Sequence, residues 1–271
     1  MIPKKIHYCW FGENSLPDLA KKCIESWKKY CPDYEIIEWN ESNYDVRKNL
    51  YMEEAYEAEK WAFVSDYARL DIIYNYGGIY LDTDVELLKK LDDLLNYPVF
   101  LATEKIGLVA TGLIFGAEPK NESILMMLNE YKDAHFKIED KVYDLLPCPK
   151  RNTKPFLKIG LKKTKEIQNL GKVIIFPPEY FCPMDNETKE VNITSNTYSI
   201  HHYGASWISQ NEKKMQQQFD IYDKNNSKIM AMILKAKYEY KMTYDKLKMK
   251  YIFNFIKNRL KKRKIRKKVE K

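Results

Sequence analysis

Apolar residues recur at steps of three and four through Trp61, Val64, Ala68, Ile72 and Tyr76. That spacing predicts a helix over residues 61–76 with one face turned inward. Gly77-Gly78 stops it, because glycine accepts the left-handed backbone that ends helices. Ile79-Tyr80-Leu81 then reads as a short buried strand running into Asp82-Thr83-Asp84. Before this stretch the pattern predicts a strand over residues 5–10, a helix over 17–30, a strand over 34–39 and a helix over 53–60. Alternating strands and helices argue for an α/β layer, and Asn40 falls at a strand end, where such layers place ligand groups.

After Asp84 the pattern gives a short helix at 91–95 and a strand at 99–102. A near-continuous apolar strand pair with glycines follows at 108–117. Within it, Gly112 either lets a ligand come close or, as is commoner for a glycine in a strand, marks a bulge. A helix is expected over 121–131 and strands over 173–176 and 197–200. The basic, proline-punctuated stretch 147–155 reads as a loop where acceptor specificity could reside.

Two carboxylates two residues apart at a strand end, Asp82 and Asp84, repel one another unless a cation or a turn intervenes. A hard divalent ion, Mg²⁺ or Mn²⁺, relieves that repulsion. Turn and capping chemistry also places Asp-x-Asp at such junctions. Asp66 and Arg69, three apart on the preceding helix, are either a solvated ion pair or groups aimed at the same pocket.

Ser65-Asp66-x-x-Arg69 followed by Gly77-Gly78-Ile79-Tyr80-Leu81-Asp82-x-Asp84 resembles glycosyltransferase family 32. The resemblance implies a Rossmann-like GT-A fold and a retaining, metal-dependent transfer of a hexose from a nucleotide-sugar. It also implies site roles. Asp66 and Arg69 hold donor-sugar hydroxyls. Asp82 and Asp84 serve the metal. Trp10, Tyr80 and Gly78 contact the nucleotide-sugar. Ser206 and Trp207 contact the phosphates. His201-His202 near the end of the domain supplies a third ligand; spacing to Trp207 favours His202, with His201 as the alternative. His7 is expected to be structural.

Composition changes this picture in two places. Five cysteines without a CxxC pair suit reduced thiols, not a disulfide framework. The net charge of +8 is concentrated at one end: residues 246–271 hold 13 Lys/Arg and one Glu, so the rest of the chain is mildly acidic. Met249, Phe253, Ile256 and Leu260 lie among those cations at helical spacing, which reads as a membrane-surface helix. No nucleic-acid motif accompanies it.

The expectation is therefore an α/β, GT-A catalytic domain over 1–210 and a helical, basic extension over 211–271. It would use Mn²⁺ or Mg²⁺, a UDP-hexose or GDP-mannose donor, and a glycan or lipid-linked glycan acceptor of capsule or O-antigen type. It would sit in the cytoplasm, peripheral on the inner face of the membrane. Two rival readings remain. One is a haloacid-dehalogenase-type phosphotransferase with Asp82 as nucleophile. The other is a non-catalytic, membrane-tethered sugar-binding protein.

Overall fold

The structure is a computed structural model that describes residues 1–105, 107–140, 142–185 and 188–204. Residues 1–138 together with 143–204 form a compact unit. The expected extension over 211–271 lies outside the described residues, as do Ser206 and Trp207. Among the described residues, no helix is long and apolar enough to cross a membrane.

The first half of the chain runs β1 (Lys5–Cys9), α1 (Asp18–Tyr30), β2 (Glu35–Trp39), α2 (Leu50–Glu57), α3 (Trp61–Tyr76), β3 (Gly78–Tyr80) and β4 (Val85–Leu87). Then come β5 (Val99–Lys105), β6 (Leu108–Val109), β7 (Phe115–Ala117), α4 (Glu122–Asn129), β8 (Lys137–Glu139), β9 (Val142–Tyr143) and α5 (Cys148–Lys158). The last elements are β10 (Gln168–Asn169), β11 (Ile174–Phe176), the short helix Pro178–Phe181 and β12 (Ser199–His201).

Among the described residues the main sheet has the order β10-β11-β5-β7-β3-β1-β2, with β6 paired to β5. β1 is parallel to both β2 and β3, and β11 is parallel to β5. β7 lies between β3 and β5 and runs antiparallel to both. This is the α/β, Rossmann-like layer that the GT-A resemblance implies. The sheet separates two apolar layers. Tyr51, Met52, Val64, Ala68, Ile72 and Ile124, from α2, α3 and α4, belong to one. Cys23, Ile24 and Trp27 of α1 belong to the other.

Three local choices aim the central strand. The Gly77 amide closes α3 on the Ile73 carbonyl at 2.9 Å, with Gly77 at φ +63°. Gly78, at φ +103°, has no room for a side chain: a Cβ there would lie 2.8 Å from His7 Nε2. His7 is fully buried and structural, as expected. Trp39 Nε1 donates to its Nδ1 at 3.0 Å, so its Nε2 carries the proton and donates to the Gly77 carbonyl at 2.9 Å.

Stretch 147–155 is helix, not loop. Pro149 sits in the first turn of α5, where a missing N–H costs nothing. Phe156 and Asn152 are fully buried, and Asn152 donates to Thr111 Oγ1 at 2.9 Å. That packing holds the helix despite Pro155 in its interior.

Candidate active site

β3 ends at Tyr80, and the chain then turns sharply. The Val85 amide meets the Asp82 carbonyl at 3.1 Å, so Asp82 and Asp84 flank a turn and are not on a straight strand. β12 pairs antiparallel with β4, placing His201 opposite Val85. Asp82, Asp84 and His201 thereby offer ligand atoms that all lie within 4.8 Å of one another.

Both carboxylates are held from behind. Asp82 Oδ1 accepts from the Tyr80 hydroxyl at 3.0 Å and lies 3.4 Å from Arg69 Nη2. Asp84 Oδ2 accepts from the Gly204 amide at 2.9 Å, and its Oδ1 is 3.2 Å from His201 Nε2. Arg69 is fixed from several sides. It donates to the Ser65 carbonyl at 2.9 Å and to Ser65 Oγ at 2.8 Å. Its Nη2 is 3.2 Å from Asp66 Oδ1, and the guanidinium lies 5.0 Å from the centre of the Tyr80 ring. Gly112 closes the other side: a Cβ there would come within 2.5 Å of Asp82 Oδ2 and 2.9 Å of Arg69 Nη1.

Protonation follows from these neighbours. Burial pushes Asp66 up to about 6 against the pull of Arg69. Burial also raises Asp82; Arg69 opposes this and Asp84 adds to it. Burial acts upward on Asp84 too, but the His201 charge and hydrogen bond and the Gly204 amide bring it below the usual carboxylate range. Burial acts downward on His201, and Asp84 outweighs it, so the imidazole is raised.

The sequence-based residues divide on this geometry. Asp66, Arg69, Asp82, Asp84 and His201 come together. His202 does not join them, which corrects the preference for it. Its Nε2 lies 2.7 Å from Glu86 Oε2, beside Lys22, because successive side chains on a strand alternate in direction. Gly78 is also corrected. It lies at the start of β3, the opposite end from Asp82, packed on His7. Gly112 is the glycine at the site. Tyr80 is 1% exposed, and its hydroxyl donates to Asp82 Oδ1. Trp10 is half-buried at the end of β1, its Nε1 donating to the Asn14 carbonyl at 2.5 Å. Sequence reasoning missed Gly204, whose amide holds Asp84. It also missed Cys148, whose thiol is hydrogen-bonded to Asp66 at the start of α5. No local signal in the chain marks either one.

Two carboxylates and an imidazole form a donor set suited to Mn²⁺, and to Mg²⁺ through the oxygens. The structure supports that fit: His201 turns its Nε2 to Asp84 Oδ1 at 3.2 Å, and ligand atoms of all three residues lie within 4.8 Å of one another.

Residues 17–101 match the model of the glycosyltransferase sugar-binding region containing the DXD motif. The chain carries a DXD glycosyltransferase region. Asp82 and Asp84 are its Asp-x-Asp pair, and α1, α3 and β3 fall inside it. Over 112 residues the chain is 35% identical to inositol phosphoceramide mannosyltransferase 3 of Schizosaccharomyces pombe, covering 37% of this chain and 29% of that protein. Over 191 residues it is 31% identical to mannosyl phosphorylinositol ceramide synthase SUR1 of Saccharomyces cerevisiae, covering 67% of this chain and 48% of that protein. The chain thus spans less than half the length of these curated relatives. Among solved structures, the PaToxG glycosyltransferase is similar over 58% of this chain and 68% of that one, at 21% identity and a TM-score of 0.47.

Proposed function

We propose that this chain is a metal-dependent, retaining glycosyltransferase that moves a hexose from a nucleotide-sugar to a glycan acceptor. The observation that carries the reading is the convergence of Asp82, Asp84 and His201 beside Arg69 and Asp66 inside the DXD region. The three ligands would hold Mn²⁺ or Mg²⁺. When bound, such an ion supplies positive charge to a departing diphosphate. Arg69 and the Tyr80 hydroxyl fix Asp82, and the Gly204 amide fixes Asp84, so the set is organised before substrate arrives. Asp66 and Arg69 would orient donor-sugar hydroxyls. Trp10, Ser206 and Trp207 would contact the nucleotide and its phosphates.

Retention fits a front-face displacement. The acceptor oxygen bonds to the anomeric carbon as the bond to the diphosphate breaks, and the acceptor proton passes to the leaving phosphate. No side-chain nucleophile is needed. Asp82 is also a poor candidate for the phosphotransferase nucleophile, since its Oδ1 is engaged by both Tyr80 and Arg69.

The catalytic unit would be residues 1–210. The basic residues of 211–271 would lie on an anionic membrane at the cytoplasmic face, each cation contributing about 1 kcal/mol. A lipid-linked glycan, as in capsule or O-antigen synthesis, is the acceptor such a tail would reach; the curated relatives, by name, act on lipid-borne inositol phosphoceramide.

The test is release of nucleoside diphosphate with Mn²⁺ across UDP- and GDP-sugars, with Asp84→Ala in parallel. Donor-selective release lost in Asp84→Ala is the expected result. No release with any donor, even with lipid-linked glycans supplied, would overturn the reading.

A further inference from the structure

Residues 145–178 hold seven lysines, Arg151 and a single acid, Glu166. Residues 1–245 as a whole hold 33 basic and 37 acidic side chains, so this segment reverses the charge of the body around it. α5 sorts its side chains between two faces. Arg151, Asn152, Pro155 and Phe156 are buried, and Arg151 is paired there with Asp144. Lys150, Lys154, Leu157 and Lys158, at steps of four, three and one, share the exposed face.

The loop after α5 continues that face. The Leu161 amide donates to the Phe156 carbonyl at 2.9 Å, and Gly160, at φ +102°, turns the chain. Gln168 clamps Lys162: its Oε1 accepts from the Lys162 amide at 2.8 Å, and its Nε2 donates to the Lys162 carbonyl at 3.0 Å. Ile167 is thereby held close to Lys162. Lys162, Lys163 and Lys165 are exposed. Among these cations Leu157 is 56% exposed, and Ile159 and Ile167 are each 45% exposed. Lys154 pairs with Glu130 at 3.7 Å and Lys172 with Glu122 at 3.0 Å. The other five lysines form no ion pair among the described residues.

One exposed leucine is ordinary. Three large aliphatic side chains among unpaired lysines, with one acid, match an anionic lipid surface. The alkyl groups enter the headgroup region, the lysine stems follow them, and the ammonium groups meet the phosphates. Nucleic acid fits less well. The aromatic side chains of the segment, Phe156 and Phe176, are buried, so no ring is offered for base stacking.

α5 also links this face to the candidate site. Its first residue, Cys148, is hydrogen-bonded to Asp66, and its last turn carries Leu157 and Lys158. Eleven residues of helix span about 16 Å.

We propose that the outer face of α5 and the loop to β10 form a membrane-docking surface of the catalytic unit itself, and that its partner is an anionic lipid surface. It is distinct from the basic residues 246–271 and stands without the transferase reading. On that reading, it brings a lipid-borne acceptor to within a helix length of Asp66.

The test uses the full chain and phosphatidylglycerol vesicles doped with a diazirine-bearing lipid, with crosslinked peptides mapped by mass spectrometry. Crosslinks are expected within residues 154–168 and should be lost on vesicles of phosphatidylcholine. Partitioning onto the anionic vesicles, read by sedimentation, should fall about tenfold or more in Lys158→Glu/Lys162→Glu/Lys165→Glu. It should fall severalfold in Leu157→Ser/Ile159→Ser, and melting curves check that both variants fold. Crosslinks confined to residues 246–271, none at all, or equal labelling from neutral vesicles would overturn the proposal. So would tighter binding of duplex RNA than of vesicles, lost in the same lysine variant, which would make the face a nucleic-acid surface. Nucleoside diphosphate release is measured separately: a labelled face without turnover of any donor would sink the transferase reading and leave the docking surface standing.

Discussion

The Tyr80 hydroxyl donates to Asp82 Oδ1 at 3.0 Å while the same ring carries the Arg69 guanidinium on its face. One buried side chain therefore holds both the carboxylate of the Asp-x-Asp pair and the cation that neutralises it. Removing the hydroxyl alone leaves the ring, and so separates the two contributions. Tyr80→Phe should keep the fold and the Arg69 contact. It should cost about tenfold in turnover, in line with losing one hydrogen bond to a charged group. Unchanged turnover would show that Arg69 alone fixes Asp82.

His201 and His202 offer a sharper comparison. His201→Ala removes an imidazole that faces Asp84, whereas His202→Ala removes one that pairs with Glu86. Mn²⁺ affinity, read from the free-ion signal in electron paramagnetic resonance, should fall by about tenfold or more in the first. It should change little in the second. The reverse order would restore His202 as the ligand.

Gly112→Ala would place a methyl 2.5 Å from Asp82 Oδ2 and 2.9 Å from Arg69 Nη1, so one of the two must move. Misplacement on the scale of an ångström at a reacting centre costs about a hundredfold. Turnover should fall by that order, with a melting temperature close to the parent's. A fully active Gly112→Ala would show that the pocket can open there without penalty.

Acid should weaken the fold through His7. Burial holds this imidazole down to about 4, against 6.5 when it is free. The folded pKa is the lower one, so the unfolded chain binds more protons between these values. The contribution is complete above pH 6.5 and is lost as pH falls towards 4, amounting to roughly 3 kcal/mol. Urea unfolding at pH 7 and pH 4.5 should show the loss, and His7→Gln should flatten it. An equal pH slope in that variant would move the effect to other groups.

Much of the central element was legible because it rests on local chemistry. The apolar spacing from Trp61 to Tyr76 and the double glycine after it dictate a helix, a stop and a strand wherever the chain lies. Asp66, Arg69, Asp82 and Asp84 follow from that frame. What escaped depended on partners distant in sequence. Which of two adjacent histidines enters the site is set by the register of β12 on β4, and the doublet itself does not reveal it. Gly78 and Gly112 look alike in sequence, and only the sheet shows which end of β3 each one faces. The burial of Tyr80 against Arg69 is likewise a tertiary fact. In α5, prolines that read as loop punctuation sit where buried Phe156 and Asn152 outweigh local preference.

The pairing of β12 with β4 also sets a schedule. A ribosome delivers Asp82 and Asp84 first and His201 roughly a hundred residues later, on the order of ten seconds at ordinary elongation rates. Throughout that interval the nascent chain holds an acidic pair without its imidazole. A metal held by this set would therefore find all three of its ligands only after every strand of the main sheet has been made.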